Sequence, residues 1–84
     1  MKFTAVVNVS LKDSILDPQG RTIERSLANQ GYDTVREVRA GKQFRVTMEG
    51  DRASVEEQLA EFAGEILANP VIEQVEWDLL ADPE

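Results

Sequence analysis

An α+β fold is predicted by three features of the sequence: short stretches of alternating apolar residues, two amphipathic stretches of helical period, and turn-forming residues between them. The patterns follow the order β-α-β-β-α-β within 84 residues, a length that suits one domain over residues 1–84. This order is typical of a ferredoxin-like plait, in which two helices cover one face of a four-stranded antiparallel sheet.

The first strand and the first helix are predicted from apolar period and capping residues. Apolar side chains alternate over residues 3–9, which is the period of a half-buried strand. Asp17 is the expected N-cap of the helix and Pro18 its first residue, because proline lacks the N–H that would be unbonded there. Gly31 is expected to end the helix in a left-handed conformation. The apolar face of this helix consists of Ile23, Leu27 and Ala28.

Two strands joined by a short hairpin turn are predicted next, over residues 34–40 and 43–49. The turn is expected at Gly41 and Lys42. The second strand alternates regularly, whereas the two valines of the first strand are out of phase. We therefore expect residues 34–40 to form an edge strand or to contain a bulge.

The second helix has the clearest pattern in the chain. It is predicted to begin between Arg52 and Val55, with either Asp51 or Ser54 as its N-cap. Asn69 is expected to end it, because a residue that precedes proline disfavours the α conformation. The predicted apolar face combines Val55, Leu59, Phe62, Ala63, Ile66 and Leu67.

A last strand over about residues 71–80 and a frayed tail over residues 82–84 complete the predicted elements. Several apolar residues take the phase opposite to the core, which indicates that the second face or an edge of the sheet meets another subunit. These residues are Val6, Ile72 and Leu80.

Composition argues against catalysis by the isolated chain. The chain has no Cys and no His, so it lacks a thiolate nucleophile, a Cys-type zinc site and the commonest general base. The glycines are scattered singly and form no phosphate-binding motif. We therefore expect no catalytic residues, no bound cofactor and no metal site in this chain.

Charge and hydropathy argue against two classes of partner. The net charge of −7 disfavours nucleic acid, because phosphate binding draws on cations. The charge is uneven: residues 1–48 carry 8 basic and 5 acidic groups, whereas residues 49–84 carry 1 basic and 11 acidic groups. No apolar run approaches the roughly 18 residues of a membrane span. Because no signal-peptide pattern is found either, a cytoplasmic protein is expected.

Three features of the chain are candidates for contact with a partner protein. The helix start carries a glycine, which is unfavourable inside a helix and indicates that a partner approaches the backbone closely at this position. The predicted hairpin turn offers a lysine to an anionic partner, and the single tryptophan serves either the core or a subunit contact. The candidate interface residues are therefore Asp17, Pro18, Gln19, Gly20, Gly41, Lys42 and Trp77.

Three stretches of the sequence carry a resemblance to a known family. The stretch VSLKDSILDPQG, residues 9–20, closely resembles the signature of PurS, the small subunit of phosphoribosylformylglycinamidine (FGAM) synthase. The stretches VRAGK at residues 38–42 and LANPVIE at residues 67–73 are similar to two further segments of that family. The resemblance extends over essentially the whole chain.

The resemblance implies a role that composition and periodicity do not supply. PurS-like subunits join a large synthetase subunit and a glutaminase subunit in an ATP-dependent carbon–nitrogen ligase of purine biosynthesis. The complex converts formylglycinamide ribonucleotide (FGAR), ATP, glutamine and water to FGAM, ADP, phosphate and glutamate. The resemblance further implies a non-catalytic dimer that bridges the two larger subunits and helps ammonia to pass between them. The small core and the apolar residues on the second sheet phase lead us to expect a homodimer or a dimer of dimers. ATP and Mg are then used by the complex and not bound by this chain.

Two other classes of function share the predicted order of elements. A ligand-sensing regulatory module of the amino-acid-binding type needs a glycine in the loop after the first strand, whereas the loop from Leu11 to Leu16 has none. An RNA-binding domain needs a basic sheet face with exposed aromatic residues, which the acidic charge disfavours. The regulatory module is thus the alternative to the PurS-like role.

Overall fold

The computed structural model describes residues 1–82, which form three strands and two helices. The strands make one antiparallel sheet in the order β2-β1-β3. The α+β class is confirmed, but the predicted four-stranded plait is wrong because the described residues contain one strand fewer. The elements are β1 (Lys2–Leu11), α1 (Pro18–Asn29), β2 (Gly41–Glu49), α2 (Arg52–Glu65) and β3 (Glu73–Ala81).

The central strand β1 is paired on both sides. Its Val7 lies opposite Phe44 of β2 and opposite Trp77 of β3. Alternate residues of β1 point to the same face, and on the face toward α2 they are fully buried. These buried residues are Phe3, Ala5, Val7 and Val9.

The hydrophobic core lies between the sheet and α2. Leu59 and Ala63 of α2 are fully buried against the inward residues of β1, while inward residues of β2 and β3 are half-buried around them. The opposite face of the sheet is mostly polar. There Val6 is half-buried and Leu80 is exposed.

Residues 34–40 do not form the predicted strand. Two of their amide groups bond to side chains instead of to a neighbouring strand. The N–H of Val38 donates to Glu24 Oε1 (2.9 Å), and the N–H of Ala40 donates to Asp17 Oδ2 (2.6 Å). Because β2 and β3 already occupy both edges of β1, the segment has no place beside the central strand and runs along the start of α1.

Gly41 and Lys42 do not form the predicted hairpin turn. They begin β2, where Gly41 lies opposite Ser10 and Lys42 lies opposite Val9 of β1. The connection between β1 and β2 is therefore the long segment that contains α1. The predicted hairpin needs a strand on each side of its turn, and the residues before Gly41 do not form one.

The predicted start of α2 is confirmed, and its end is corrected. Asp51 is the N-cap, and its side chain accepts a hydrogen bond from the N–H of Ser54. The alternative cap, Ser54, therefore lies inside the first turn of the helix. The helix ends at Glu65, before Asn69. Ile66, predicted on the buried face, is therefore outside the helix and 79% exposed.

The chain beyond β3 is ordered at Asp82, which was expected to be frayed. Its N–H donates to the carbonyl of Lys2 (2.9 Å), and its carboxylate accepts a hydrogen bond from Thr4 Oγ1 (2.8 Å). The rest of the predicted tail, residues 83–84, lies outside the described residues.

Helix α1 stands apart from the sheet. It ends as predicted, with Gly31 at a φ of +90°. None of its residues belongs to the hydrophobic cluster formed by the sheet and α2 within residues 1–82. The radius of gyration is 16.5 Å, against about 12 Å for a compact chain of this length. The chain is consequently elongated, with extents of 50 × 30 × 13 Å.

Candidate functional site

Asp17 joins the start of α1 to the segment that leads into β2. As predicted, it is the N-cap: its Oδ1 accepts a hydrogen bond from the N–H of Gly20 (3.1 Å). Its second oxygen accepts the hydrogen bond from Ala40. With 5% of its surface exposed, Asp17 is buried, and both carboxylate oxygens bond to backbone. One side chain thus connects two stretches of chain that are far apart in sequence.

The hydrogen bonds to Asp17 favour its ionised form. The N–H groups of Ala40 and Gly20 lower the pKa of this carboxyl below its ordinary value, and the nearby guanidinium of Arg39 adds to the effect. Burial acts in the opposite direction but is the weaker influence. The clamp at Asp17 therefore holds a carboxylate rather than a carboxylic acid at neutral pH.

A glycine is required at position 20 because another part of the same chain packs closely against its backbone. It is the one buried residue of α1, and a Cβ at this position would overlap the carbonyl oxygen of Val38 and Asp17 Oδ2. A partner subunit was expected to approach the backbone at this glycine, and the structure corrects that expectation, because the carbonyl group of Val38 in the same chain packs there. Glu24, one helical turn further on, accepts the hydrogen bond from the N–H of Val38.

Arg39 fastens the loop between β1 and α1. Its guanidinium donates hydrogen bonds of 3.0–3.3 Å to the carbonyl oxygens of Leu11, Lys12 and Ile15. A planar guanidinium with five donors suits several carbonyl groups at once. The loop, the helix start and the segment 38–40 are consequently held together by side chain to backbone bonds.

A shallow cleft of about 200 Å³ lies where these segments meet the sheet. The ends of β1 and the starts of β2 and β3 form its other walls. It brings together four of the seven predicted interface residues, although they come from two distant parts of the sequence. These four are Asp17, Gln19, Gly41 and Lys42.

Lys42 is not the free cation that the predicted turn suggested. Its Nζ lies 3.6 Å from Glu73 Oε2 at the start of β3, and 5.8 Å from the centre of the Phe44 ring. The lysine side chain remains 54% exposed, so it is both anchored at the cleft and accessible to a partner.

The other three predicted residues have different positions. Pro18 is exposed on the first turn of α1, next to the cleft, and Gly20 is buried beneath that turn. Trp77 is half-buried on β3 and packs against the hydrophobic cluster, away from the cleft. Pro18 is therefore a surface residue, whereas Gly20 and Trp77 contribute to packing within the chain.

The sequence analysis did not single out three residues whose hydrogen bonds join α1, the loop before it and the segment 38–40. These residues are Glu24, Arg39 and Ala40. Arg39 and Ala40 lie inside the stretch VRAGK that resembles the PurS family, and that resemblance was the available signal. Their partners are 14–28 residues away in the chain, so local patterns do not indicate the contacts.

The chemistry available at the cleft is polar contact with another molecule. Exposed groups at Gln19 and Lys42 supply hydrogen-bond donors on a backbone fixed by the Asp17 clamp. Within residues 1–82 no cluster of three or more acidic side chains is placed to hold a metal ion. No helix among the same residues is long and apolar enough to span a membrane.

Residues 4–81 match the family described as PurS: phosphoribosylformylglycinamidine (FGAM) synthase. The PurS subunit of FGAM synthase from Methanocaldococcus jannaschii is 40% identical over 75 residues, which cover 88% of this chain and 90% of that protein. The Bacillus subtilis subunit is 37% identical over 73 residues, covering 87% of each chain.

Solved structures give the same result. The crystal structure of Methanocaldococcus jannaschii PurS superposes with a TM-score of 0.85 at 36% identity, covering 96% of this chain and 99% of that chain. A chain in the structure of PurLQS from Thermotoga maritima superposes with a TM-score of 0.86 at 30% identity, covering 95% and 99% of the two chains.

Proposed function

Because this chain belongs to the PurS family of FGAM synthase subunits, which serve purine biosynthesis, we propose that it bridges the synthetase and glutaminase subunits of that enzyme. A similar solved chain comes from the PurLQS structure of Thermotoga maritima, which supports assembly with further subunits. The observation that carries the proposal is the cleft, where exposed polar groups are presented on a rigid backbone clamp.

The proposed bridge has a chemical purpose. The complex converts FGAR, ATP, glutamine and water to FGAM, ADP, phosphate and glutamate, and ammonia released at one active site is consumed at another. Free ammonia is largely protonated in neutral water and diffuses away, so a closed passage between the subunits keeps it reactive. In this proposal the small subunit helps to enclose that passage and contributes no catalytic group.

The candidate residues have separate roles in this proposal. Pro18, Gln19 and Lys42 are exposed and supply direct contacts to a larger subunit. Asp17 and Gly20 are buried and hold those groups in position. Gly41 belongs to the contact surface because it forms part of the cleft, whereas Trp77 is half-buried and packs against the hydrophobic cluster.

Cofactors and location are part of the same proposal. ATP and Mg bind to other subunits of the complex, and this chain binds neither. The protein acts in the cytoplasm, where the reactants of purine synthesis are found.

The subunit is also proposed to form a homodimer or a dimer of dimers. The support is the isolated position of α1, whose residues take no part in the hydrophobic cluster, and the elongated shape of the chain. A small domain gains stability by burying such surfaces against another copy.

The bridging role is tested by Lys42→Glu in a complex reconstituted with the two larger subunits. Its matched control is Arg45→Glu, on the same strand but on the opposite face, where the side chain is also exposed. We expect Lys42→Glu to lower the glutamine-dependent rate at least tenfold while the rate with added ammonium salt stays unchanged.

The control is expected to retain the parent's glutamine-dependent rate. Equal rates for the two variants, or equal loss of the glutamine-dependent and ammonia-dependent rates, would contradict a bridging role for the cleft. Circular dichroism of each variant alone establishes that any loss does not come from unfolding.

A further inference from the structure

Helix α2 carries a shallow apolar groove on its surface. The groove has a volume of about 230 Å³, smaller than the roughly 300–1,000 Å³ of sites that enclose a small molecule. Phe62 and Ile66 are its apolar residues, and it is otherwise lined by Gln58, Glu61 and Glu65. It shares no residue with the cleft beside the start of α1. The groove is therefore a separate surface, of a size that suits one or two side chains of another protein.

Ile66 is held at this groove by the end of the helix. Its N–H donates to the carbonyl of Phe62 (2.8 Å), and the N–H of Leu67 donates to the same carbonyl (3.2 Å). The chain then returns to the core, where Leu67 packs against the hydrophobic cluster and Ala68 is buried, while Ile66 stays 79% exposed. Because its backbone is already fixed, this isoleucine offers apolar area to a partner with little further loss of entropy.

The rim of the groove is negatively charged. Glu61 and Glu65 are exposed, and neither forms a salt bridge with a cation of residues 1–82. Helix α2 as a whole carries one Arg and four Glu, a net charge of −3. Apolar side chains bordered by carboxylates complement a segment in which Lys or Arg border an apolar side chain.

A second copy of this chain is a poor match for the groove. Within residues 1–82, five of the nine basic side chains are already bonded inside the chain, three to carboxylates and two to backbone carbonyl groups. The other four are separated from one another on β1, the loop after it, α1 and β2. These four are Lys2, Lys12, Arg25 and Arg45. The complementary basic segment is therefore expected on a different protein.

We propose that the groove on α2 binds a basic segment of the larger subunit that the cleft does not contact. In this contact an apolar side chain of the segment packs against Ile66, and its cations lie beside Glu61 and Glu65. A subunit that bridges two others needs two separate surfaces, and the cleft supplies one of them. The contact rests on the bridging function proposed above and adds the surface and the chemistry of its second side.

Site-specific photo-cross-linking in the reconstituted complex tests this contact, because the natural chain has no cysteine. A benzophenone maleimide is attached to Gln58→Cys at the groove or to Gln19→Cys at the cleft, both exposed positions, and the complex with both larger subunits is irradiated. We expect the groove probe to link to one larger subunit and the cleft probe to link to the other. Mass spectrometry should place the groove link in a segment with Lys or Arg beside an apolar residue.

Two controls separate a specific contact from general proximity. Ala60→Cys carries the probe at an exposed position on another side of α2 and should give less than a tenth of the yield of the groove probe. Glu65→Lys, added to Gln58→Cys, should lower the yield at least tenfold. Glu57→Lys makes the same charge change on the same helix but outside the groove, and it should leave the yield unchanged.

The outcomes distinguish this contact from the bridging function. The second contact is overturned, while assembly with the larger subunits stands, if both probes link to the same larger subunit, if the groove probe links to neither, or if its yield is independent of Glu65. A groove probe that links only to a second copy of this chain also overturns it. Absence of any complex with the larger subunits in sedimentation of the unlabelled parent overturns the bridging function and the contact together.

Discussion

The two halves of the molecule are held together in different ways. The sheet and α2 share a cluster of buried apolar side chains. In α1, by contrast, the only buried residue is Gly20, which has no side chain. The second region is positioned by polar bonds from Asp17, Glu24 and Arg39 to backbone groups. Burial of apolar side chains is non-directional and builds the core. Hydrogen bonds are directional, and they set the angle of α1, which has no apolar core of its own.

The largest change in the free energy of unfolding is expected in the apolar core between the sheet and α2. Leu59 is fully buried on α2, so Leu59→Ala removes transfer free energy and leaves a cavity. We expect the free energy of unfolding to fall by about 2–5 kcal/mol. Ile66→Ala, at an exposed position just beyond the same helix, is the control and should change it by less than about 0.5 kcal/mol. Urea denaturation measures both, and similar losses would contradict the assignment of Leu59 to the buried apolar core.

A smaller effect is expected at the contact between α1 and residues 38–40. Gly20→Ala places a methyl group against the Val38 carbonyl, which cannot move without breaking the clamp. We expect a loss of about 1–3 kcal/mol in the free energy of unfolding.

The control for Gly20 is Gly64→Ala in α2. A Cβ at Gly64 meets no atom within 4 Å, so alanine should stabilise the helix by up to about 1 kcal/mol. Opposite signs for the two glycines are the expected pattern in denaturation curves. A neutral or stabilising Gly20→Ala would show that segment 38–40 does not hold the helix start.

Acid should loosen the clamp at α1 before it affects the apolar core. The hydrogen bonds from Ala40 and Gly20 lower the pKa of Asp17. The stability they supply is therefore complete above the ordinary aspartate pKa of about 3.9 and is lost as pH falls through the lowered value. The protection factor of the Ala40 amide in hydrogen exchange, which corrects for the intrinsic effect of pH, should fall over that range, while that of Leu59 stays high.

Asp17→Asn should reproduce this loosening at pH 7. The neutral amide is a poorer acceptor for two N–H groups, so we expect faster exchange at Ala40 and a melting temperature lowered by several degrees. The exposed Asp13→Asn change is the control and should leave both unchanged. If Asp17→Asn keeps slow exchange at Ala40, the charge of the carboxylate is not what holds the segment.

The smallest effects are expected from surface ion pairs, one on each helix. Arg52 and Glu56 of α2 are 2.9 Å apart, and Arg21 and Glu24 of α1 are 3.7 Å apart, with exposed arginine side chains in both pairs. Double-mutant cycles should give coupling free energies of about 0.2–0.5 kcal/mol that shrink with salt. A coupling above about 1 kcal/mol in α1 would mean that charge pairs, and not the backbone clamp, position that helix.

Elements with a strong local signal were predicted correctly from the sequence. The alternation in β1, the N-cap Asp17 and the positive φ of Gly31 depend on residues within one or two turns of chain. For α2 the sequence left Asp51 and Ser54 open, and the structure selects Asp51. The family was also identified from short stretches of sequence. The first of them, VSLKDSILDPQG, includes the loop before α1 and the N-cap Asp17 on which the clamp depends. The candidate cleft was anticipated only as two unconnected surface features.

The sequence by itself determined the α+β class, the helix starts and the family, because period, capping and motif are properties of neighbouring residues. Only the tertiary structure decided that residues 34–40 form no strand, that Gly20 packs on Val38, and that α1 stands away from the sheet. These outcomes depend on bonds such as that between Asp17 and Ala40, whose partners are 23 residues apart. A hydrogen bond over that separation competes with strand pairing for the same N–H group, and local propensity carries no information about which wins.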